Sequence, residues 1–177
     1  MPYNFGPADV DEPIVFGCAR PMHGGLDLWA AFMKDNGIRR VCCLLPGEEE
    51  LVADYRRLFS PSRVLHAPIG DFQYAEREQL VDVILPFLWE AAGAGERVVA
   101  HCWAGSGRTG HVLAAWLVAA RGVSITDAPL RVVDVPDVRR NPYEAESDHR
   151  TLDEVLGWAL RTAKIGGSVA HLQKRIP

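Results

Sequence analysis

Nowhere in the 177 residues does an apolar run approach the roughly 20 positions needed to cross a bilayer. The start, MPYNFGPADVDEP, has no basic segment leading into an apolar one. A soluble cytoplasmic protein without a membrane partner is expected. Excess positive charge is lacking too: the formal net charge is −4, with 24% charged residues. Long-range electrostatics therefore oppose nucleic acid and anionic surfaces. The four cysteines, Cys18, Cys42, Cys43 and Cys102, lack the paired spacings of zinc sites and small disulfide scaffolds, so reduced thiols, no metal and no cofactor are expected. Internal repeats and low-complexity runs are absent. What is present is a 48% hydrophobic chain, long enough for one substantial core and too short for two ordinary domains. A single domain over 1–177 is expected, with 165–177, IGGSVAHLQKRIP, forming a poorly ordered tail because it carries a glycine pair and no period.

Short apolar runs alternate with longer segments of helical spacing, the pattern of a sheet covered by helices. The candidate strands are 14–19 (IVFGCA), 39–45 (RRVCCLL), 63–69 (RVLHAPI) and 97–102 (RVVAHC). Helical spacing covers 26–35, 47–59, 76–92, 108–121, 126–134 and 144–164. Gly37, Gly93 and Gly122 each follow such a segment, where a left-handed residue ends a helix. Pro86 falls inside its segment and predicts a kink. Pro129 fits a first turn with Thr126 as N-cap. The fold class is α/β.

The stretch that carries chemistry is 97–122, RVVAHCWAGSGRTGHVLAAWLVAARG, in which a strand ends at Cys102, a glycine-rich turn follows, and a helix begins at Arg108. A turn of mostly small residues, Ala104, Gly105, Ser106 and Gly107 after Trp103, can curl its backbone N–H groups inward as an anion nest. The positive end of the following helix adds to it. That cradle suits the non-bridging oxygens of a phosphate. At its floor, the dipoles and a guanidinium favour the thiolate of Cys102, a nucleophile. Arg108 can hold two oxygens as a planar fork, which a lysine cannot do. The Thr109 hydroxyl is placed to donate to the sulfur and to stabilise it as a leaving group. Gly105 and Gly107 suit positive φ or close approach to a ligand.

HCWAGSGRTG resembles the signature HC-x5-R-[ST] of the protein tyrosine phosphatase superfamily, and is especially similar to its small dual-specificity and archaeal-type members. The resemblance runs along most of the chain, through VFGCARP, GIRRVCCLLP, the PIGD loop and the C-terminal helices. It implies a central sheet of four or five mostly parallel strands flanked by helices, and a phosphocysteine intermediate. It also implies a general acid on a separate upstream loop. Asp71, closing HAPIGD 31 residues before Cys102, fits; the competing reading is a cap for the helix over 76–92, from which it lies rather far. Should Asp71 not serve, Glu48, Glu49, Glu50 or Asp54 are the alternatives. By resemblance, His101 orders the loop rather than transferring protons. Where relatives often carry a water-positioning glutamine, this chain has VRRNPYEAESDHR with no glutamine; Glu146 or His149 could substitute, or Asp71 could act alone. Asn141 either braces the loop or simply makes a turn before Pro142.

Competing readings weaken on inspection. GSGRTG also matches G-x-G-x-x-G, but a dinucleotide fold needs a second strand ending in an acidic residue, and a helix is expected after Gly122. A Walker A site would need a lysine before Thr109. Low-molecular-weight and rhodanese-like phosphatases order their parts differently. A phosphate-binding pseudophosphatase usually loses the Cys, Arg or Asp, and all three are here.

The expected partner is a phosphorylated protein or small phosphoester, with phosphate, vanadate or sulfate able to occupy the site. No basic residue besides Arg108 lies in the loop, which disfavours polyphosphorylated lipids. The chain is too short for long recognition loops. A shallow cleft taking phosphotyrosine and phosphoserine or phosphothreonine is expected, with a small metabolite or an RNA 5′ end as the alternative. Phe72, Tyr74, Trp103 and Tyr143 are candidates for an apolar rim or are ordinary aromatics. One of Cys42 and Cys43 is a candidate resolving cysteine for an oxidised Cys102, against the simpler reading of two small apolar strand residues.

Overall fold

The computed structural model describes residues 1–145 and 148–173. Five strands form one mixed sheet: β1 (Gly6–Pro7), β2 (Val15–Ala19), β3 (Ile38–Cys43), β4 (Val64–His66) and β5 (Arg97–Cys102), in the spatial order β1-β2-β5-β3-β4. All neighbours run parallel except β1, which is antiparallel to β2. β5 is central and buried from Val98 to Cys102; a strand covered on both faces needs a continuous apolar run, which RVVAHC nearly supplies.

Side chains alternate across β5, so Val98, Ala100 and Cys102 enter one core layer and Val99 the other. On the Val99 side pack α1 (Leu26–Asp35) and α2 (Glu49–Phe59). On the Cys102 side lie α3 (Arg77–Gln79), which runs through a π turn (Leu80–Ile84) into α4 (Leu85–Gly93), together with α5 (Gly107–Arg121), α6 (Asp127–Val133) and α7 (Leu152–Gln173). α5 is buried from Gly107 to Ala119 because α4, α6, α7 and the sheet surround it. A helix enclosed in that way must be apolar all round, as HVLAAWLVAA is. No described helix is long and apolar enough to cross a membrane.

The α/β expectation, with four or five mostly parallel strands flanked by helices, is met. The differences have local causes. The strand read over 63–69 ends at His66: Arg63 belongs to a 3-10 turn and Pro68 has no N–H to offer the sheet. Ala67 and Ile69 nonetheless donate to Cys43 and Leu44 carbonyls at 2.9 and 3.0 Å, which keeps that stretch beside β3. β1 is too short to leave a pattern. At Pro86 the disturbance of the helix takes the form of a π turn just before it, where a lost amide can be absorbed. Gly93 is inside α4, and Gly95 takes the left-handed φ of +65°. Thr126 makes no side-chain cap; Ser124 Oγ accepts the Asp127 N–H at 3.0 Å instead. The last helix begins at Leu152 rather than 144, behind a capping box: Thr151 N–H donates to Glu154 Oε2 at 2.8 Å and Glu154 N–H to Thr151 Oγ1 at 3.3 Å. It continues to Gln173, beyond the end at 164 read from its period.

The loop between β1 and β2 is tied down by Glu12, whose side chain is 1% exposed. It accepts the N–H groups of Ile14 and Val15 at 2.9 and 3.1 Å, Trp116 Nε1 at 3.0 Å, and Arg121 Nε and a terminal guanidinium N–H at 2.7 and 3.0 Å. Burial raises its pKa, but these bonds outweigh that and hold the carboxyl below its usual 4.5. Glu12→Ala strands Arg121 and the Trp116 indole, and a loss of about 3 kcal/mol is expected. Thermal melting should fall by about 6–12 °C. A lowered folded pKa stabilises above the unfolded value, so the gap between wild type and variant should be full above pH 4.5 and narrow as pH falls below it.

Candidate active site

Cys102 ends β5 at the carboxyl edge of the parallel strands, where open α/β sheets place their ligands. The chain turns through Trp103–Ser106 and enters α5 at Gly107, so the helix N-terminus faces the same point. The turn is wedged against β2. Gly105 has φ +71°, and a Cβ there would lie 2.4–2.6 Å from Cys18 C and O and Ala19 N. Only glycine meets both conditions. Arg20 N–H donates to the carbonyls of Cys102 and Trp103 at 3.0 and 3.2 Å, and Asn4 Nδ2 to that of Ala104 at 2.9 Å. Asn141 N–H donates to Ser106 Oγ at 3.2 Å.

A cavity of about 160 Å³ opens over this turn, lined by Asp71, Phe72, Cys102, Trp103, Ala104, Ser106, Gly107, Arg108 and Glu144. Cys102 is 2% exposed, and Thr109 Oγ1 donates to its Sγ at 3.2 Å. The buried Arg108 guanidinium donates to the Ile69 carbonyl at 3.3 Å and pairs with Asp71 Oδ1 at 2.9 Å. Behind the turn, His101 is enclosed by Trp29 and Tyr55, with Nδ1 donating to the Cys102 carbonyl at a long 3.4 Å. Burial pushes its pKa down to about 4, so the ring is neutral near pH 7. Among the described residues, no group of three or more His, Cys, Asp or Glu could hold a metal ion.

This geometry agrees with the comparisons. Residues 25–122, more than half of the chain, match the family model described as "Polymorphic toxin system, DSP-PTPase phosphatase". The chain belongs to that family. Among solved structures it is similar to Tk-PTP in its active form: 27% identity over 89% of this chain and 97% of that one, TM-score 0.67. PTPMT1 in complex with PI(5)P shares the fold at 17% identity, with 90% and 99% covered and TM-score 0.68. So does P. aeruginosa TpbA, at 18% identity, 86% and 88% covered, TM-score 0.58. No curated protein sequence matches the chain.

Of the residues singled out in the sequence of this DSP-PTPase phosphatase, Asp71, Cys102, Trp103, Ala104, Ser106, Gly107 and Arg108 line one cavity, with Gly105 and Thr109 packed behind it. Phe72 and Trp103, 41% and 62% exposed, form its apolar rim. Tyr74 does not: it is buried edge-on against His111, centroids 5.2 Å apart. Tyr143 is exposed and away from the cavity lining. His149 points into solvent beside Asp148, and Glu146 lies outside the described residues. Asn141 serves both of its readings, bracing Ser106 with its backbone and accepting the Tyr143 N–H at 3.2 Å with its side chain. Glu48 pairs with Arg20 and Asp54 with Arg57, away from the cavity. Cys42 and Cys43 are fully buried; burial pushes both thiols up, Cys43 to about 11, which favours the apolar reading over a resolving thiol.

Sequence reading missed Glu144, the second carboxylate at the cavity, three residues beyond Asn141. It also missed Arg140, whose buried guanidinium donates to the carbonyls of Asn4, Gly6, Pro7 and Gly17 at 2.6–3.2 Å and ties β1 to β2 behind the turn. No local signal marked either residue: Asp137 stands just before the arginine pair, and the partners of both are distant in sequence. Gly105→Ala should displace the turn from β2 and lower turnover of an aryl phosphate at least about tenfold, with about 1–3 kcal/mol of destabilisation. Steady-state kinetics and thermal melting check both.

Proposed function

We propose that this phosphatase hydrolyses phosphate monoesters through a phosphocysteine on Cys102, and that its substrates are phosphotyrosine and phosphoserine or phosphothreonine in proteins. The observation that carries the reading is the convergence of a Thr109-bonded sulfur, the Arg108 fork and the Asp71 carboxyl on one small cavity at a helix N-terminus. In the first step Sγ attacks phosphorus and the P–O bond to the leaving group breaks. Arg108 and the inward N–H groups of the turn hold the equatorial oxygens as charge shifts. Asp71 gives its proton to the departing oxygen. In the second step Asp71 takes a proton from water as the water oxygen bonds phosphorus. Sγ then leaves with the electron pair, stabilised by the Thr109 hydroxyl. Before substrate binds, Asp71 occupies Arg108, and an incoming phosphate takes over the guanidinium and frees the carboxyl for the leaving oxygen.

Three features support a shallow protein-phosphatase cleft. The cavity is small, and its rim is Phe72 and Trp103. Its lining holds one cation against two carboxylates, Asp71 and Glu144, a balance that rejects additional phosphates. A larger apolar cleft of about 800 Å³ starts from the same Trp103 and Ala104 and extends to Tyr3, Met22, Leu28, Trp29 and Phe32. That continuity suits a phosphate carried beside apolar groups better than a bare sugar phosphate. The fold relatives themselves take different phosphoesters, a TpbA variant in complex with pTyr and PTPMT1 in complex with PI(5)P. A small phosphorylated metabolite or an RNA 5′ end is the second reading.

Cys102→Ser should abolish turnover of an aryl phosphate while retaining vanadate binding; an unreactive wild type would indicate a phosphate-binding module instead. A panel of phosphopeptides, phosphoinositides and nucleotides should give its highest kcat/KM with phosphopeptides, and a nucleotide or lipid preference would reverse the substrate assignment. Asp71→Asn should lower kcat by about 10²–10⁴-fold for poor leaving groups and remove the limb of the pH–rate profile that reports the acid.

A further inference from the structure

Asp71 begins a segment, 71–76, that connects the end of the sheet to α3, and the far end of this segment is held by three side chains that do not line the cavity. Asp148 Oδ2 accepts the Tyr74 N–H at 2.9 Å. His111 Nε2 accepts the Ala75 N–H at 3.1 Å. Arg150 donates to the Tyr74 and Ala75 carbonyls at 3.3 and 3.4 Å and to Glu76 Oε2 at 3.0 Å. Each holder is itself fixed. Asp148 takes a fork from Arg150, Nε to Oδ1 at 2.7 Å and a terminal nitrogen to Oδ2 at 2.5 Å, and the Arg150 N–H donates to Oδ1 at 2.9 Å. His111 donates from Nδ1 to the Gly107 carbonyl at 3.2 Å, at the end of the turn that cradles the phosphate site.

Removing a carboxylate from water costs several kcal/mol, and Asp148 is almost wholly buried. That cost is met here by bonds from the Tyr74 N–H and from Arg150, the group that also holds the Tyr74 and Ala75 carbonyls. The His111 ring spans the two loops of the site, one nitrogen on each. Burial lowers its pKa to about 4, which keeps one nitrogen a donor and the other an acceptor at neutral pH.

We propose that His111, Asp148 and Arg150 are positioning residues that register the Asp71 segment against the Cys102–Arg108 turn, so that the carboxyl meets the leaving oxygen. The inference rests on Asp71 being the general acid. It has a signature that loss of packing lacks. Misplacing Asp71 slows both of its proton transfers, but only the first, which kcat/KM reports, depends on the leaving group, and a shift of about 1 Å can cost about 10²-fold. The penalty falls on esters with poor leaving groups and vanishes once the acid is gone.

The test compares phenyl phosphate with p-nitrophenyl phosphate for Arg150→Met and Asp148→Asn, each made in the wild-type and Asp71→Asn backgrounds. In the wild-type background kcat/KM for phenyl phosphate should fall at least about tenfold, with a much smaller fall for the nitrophenyl ester and vanadate inhibition within about twofold. In the Asp71→Asn background the same substitutions should change kcat/KM for phenyl phosphate less than about twofold. Arg150→Lys, which keeps the charge but loses the fork, should show the same leaving-group dependence more weakly, and it serves where Arg150→Met does not fold. Equal losses in kcat/KM on both esters, or full additivity with Asp71→Asn, would overturn the proposal while leaving the phosphatase reading intact. Asp71→Asn with wild-type leaving-group dependence would instead remove Asp71 from its role, and the proposal with it.

Discussion

The site depends on one close contact between backbones: the turn after β5 lies directly on the end of β2, with Gly105 against the Cys18 carbonyl. That contact fixes where the chain reverses and therefore where α5 starts. It leaves the Cys102 sulfur between the end of a strand and the start of a helix, where the Thr109 hydroxyl reaches it from the first turn of α5. Everything that holds β2 in place consequently holds the turn. Arg140 gathers carbonyls of Asn4, Gly6, Pro7 and Gly17, and Asn4 in turn joins Ala104 to Arg139. Burial lowers the Arg140 pKa to about 10, which still leaves a cation at neutral pH to be satisfied by carbonyl dipoles alone.

Buried Arg40 pairs side chain to side chain with Glu90 and Glu96, but three other buried ionic anchors share a different role. Glu12, Arg140 and the Asp148–Arg150 pair each attach an irregular segment to the regular scaffold, and most of the partners are backbone N–H or C=O groups rather than other side chains. Loops carry polar backbone that a core cannot otherwise satisfy, and a single forked side chain satisfies three or four such groups at once. The enclosed helix α5 contributes its own polar exceptions, Arg108, Thr109 and His111, and all three point toward the site from its first turns. The rest of α5 is apolar because the remaining positions face only core.

How far this was legible from sequence divides along the same line. Alternating apolar runs gave the parallel strands and the covering helices, since period and run length depend on local burial. The turn and its chemistry were legible because Cys102, Gly105, Gly107, Arg108 and Thr109 are neighbours, each needing its residue type for a local reason. Asp71 required a resemblance, because nothing in HAPIGD by itself says which loop faces the cavity. Glu144 and Arg140 were illegible: their partners lie tens to more than a hundred residues away, and an exposed glutamate in a turn looks the same from sequence. The T-L-D-E of 151–154 was a readable helix start that the apolar period over 144–164 obscured.

The balance of charge at the cavity explains why so few residues suffice. One guanidinium faces two carboxylates, so the site has no standing excess of positive charge with which to capture anions at long range. Affinity for phosphate has to come from oriented N–H dipoles and a forked bond, which act only at contact and only on a group of the right shape. Arg108 is kept from wandering by Ile69 on one side and Asp71 on the other, and in the proposed reaction phosphate would replace Asp71 there and free it for the leaving oxygen. A pocket built in this way selects by geometry rather than by charge. The precision of its two loops, more than the strength of any one ion pair, therefore sets its chemical competence.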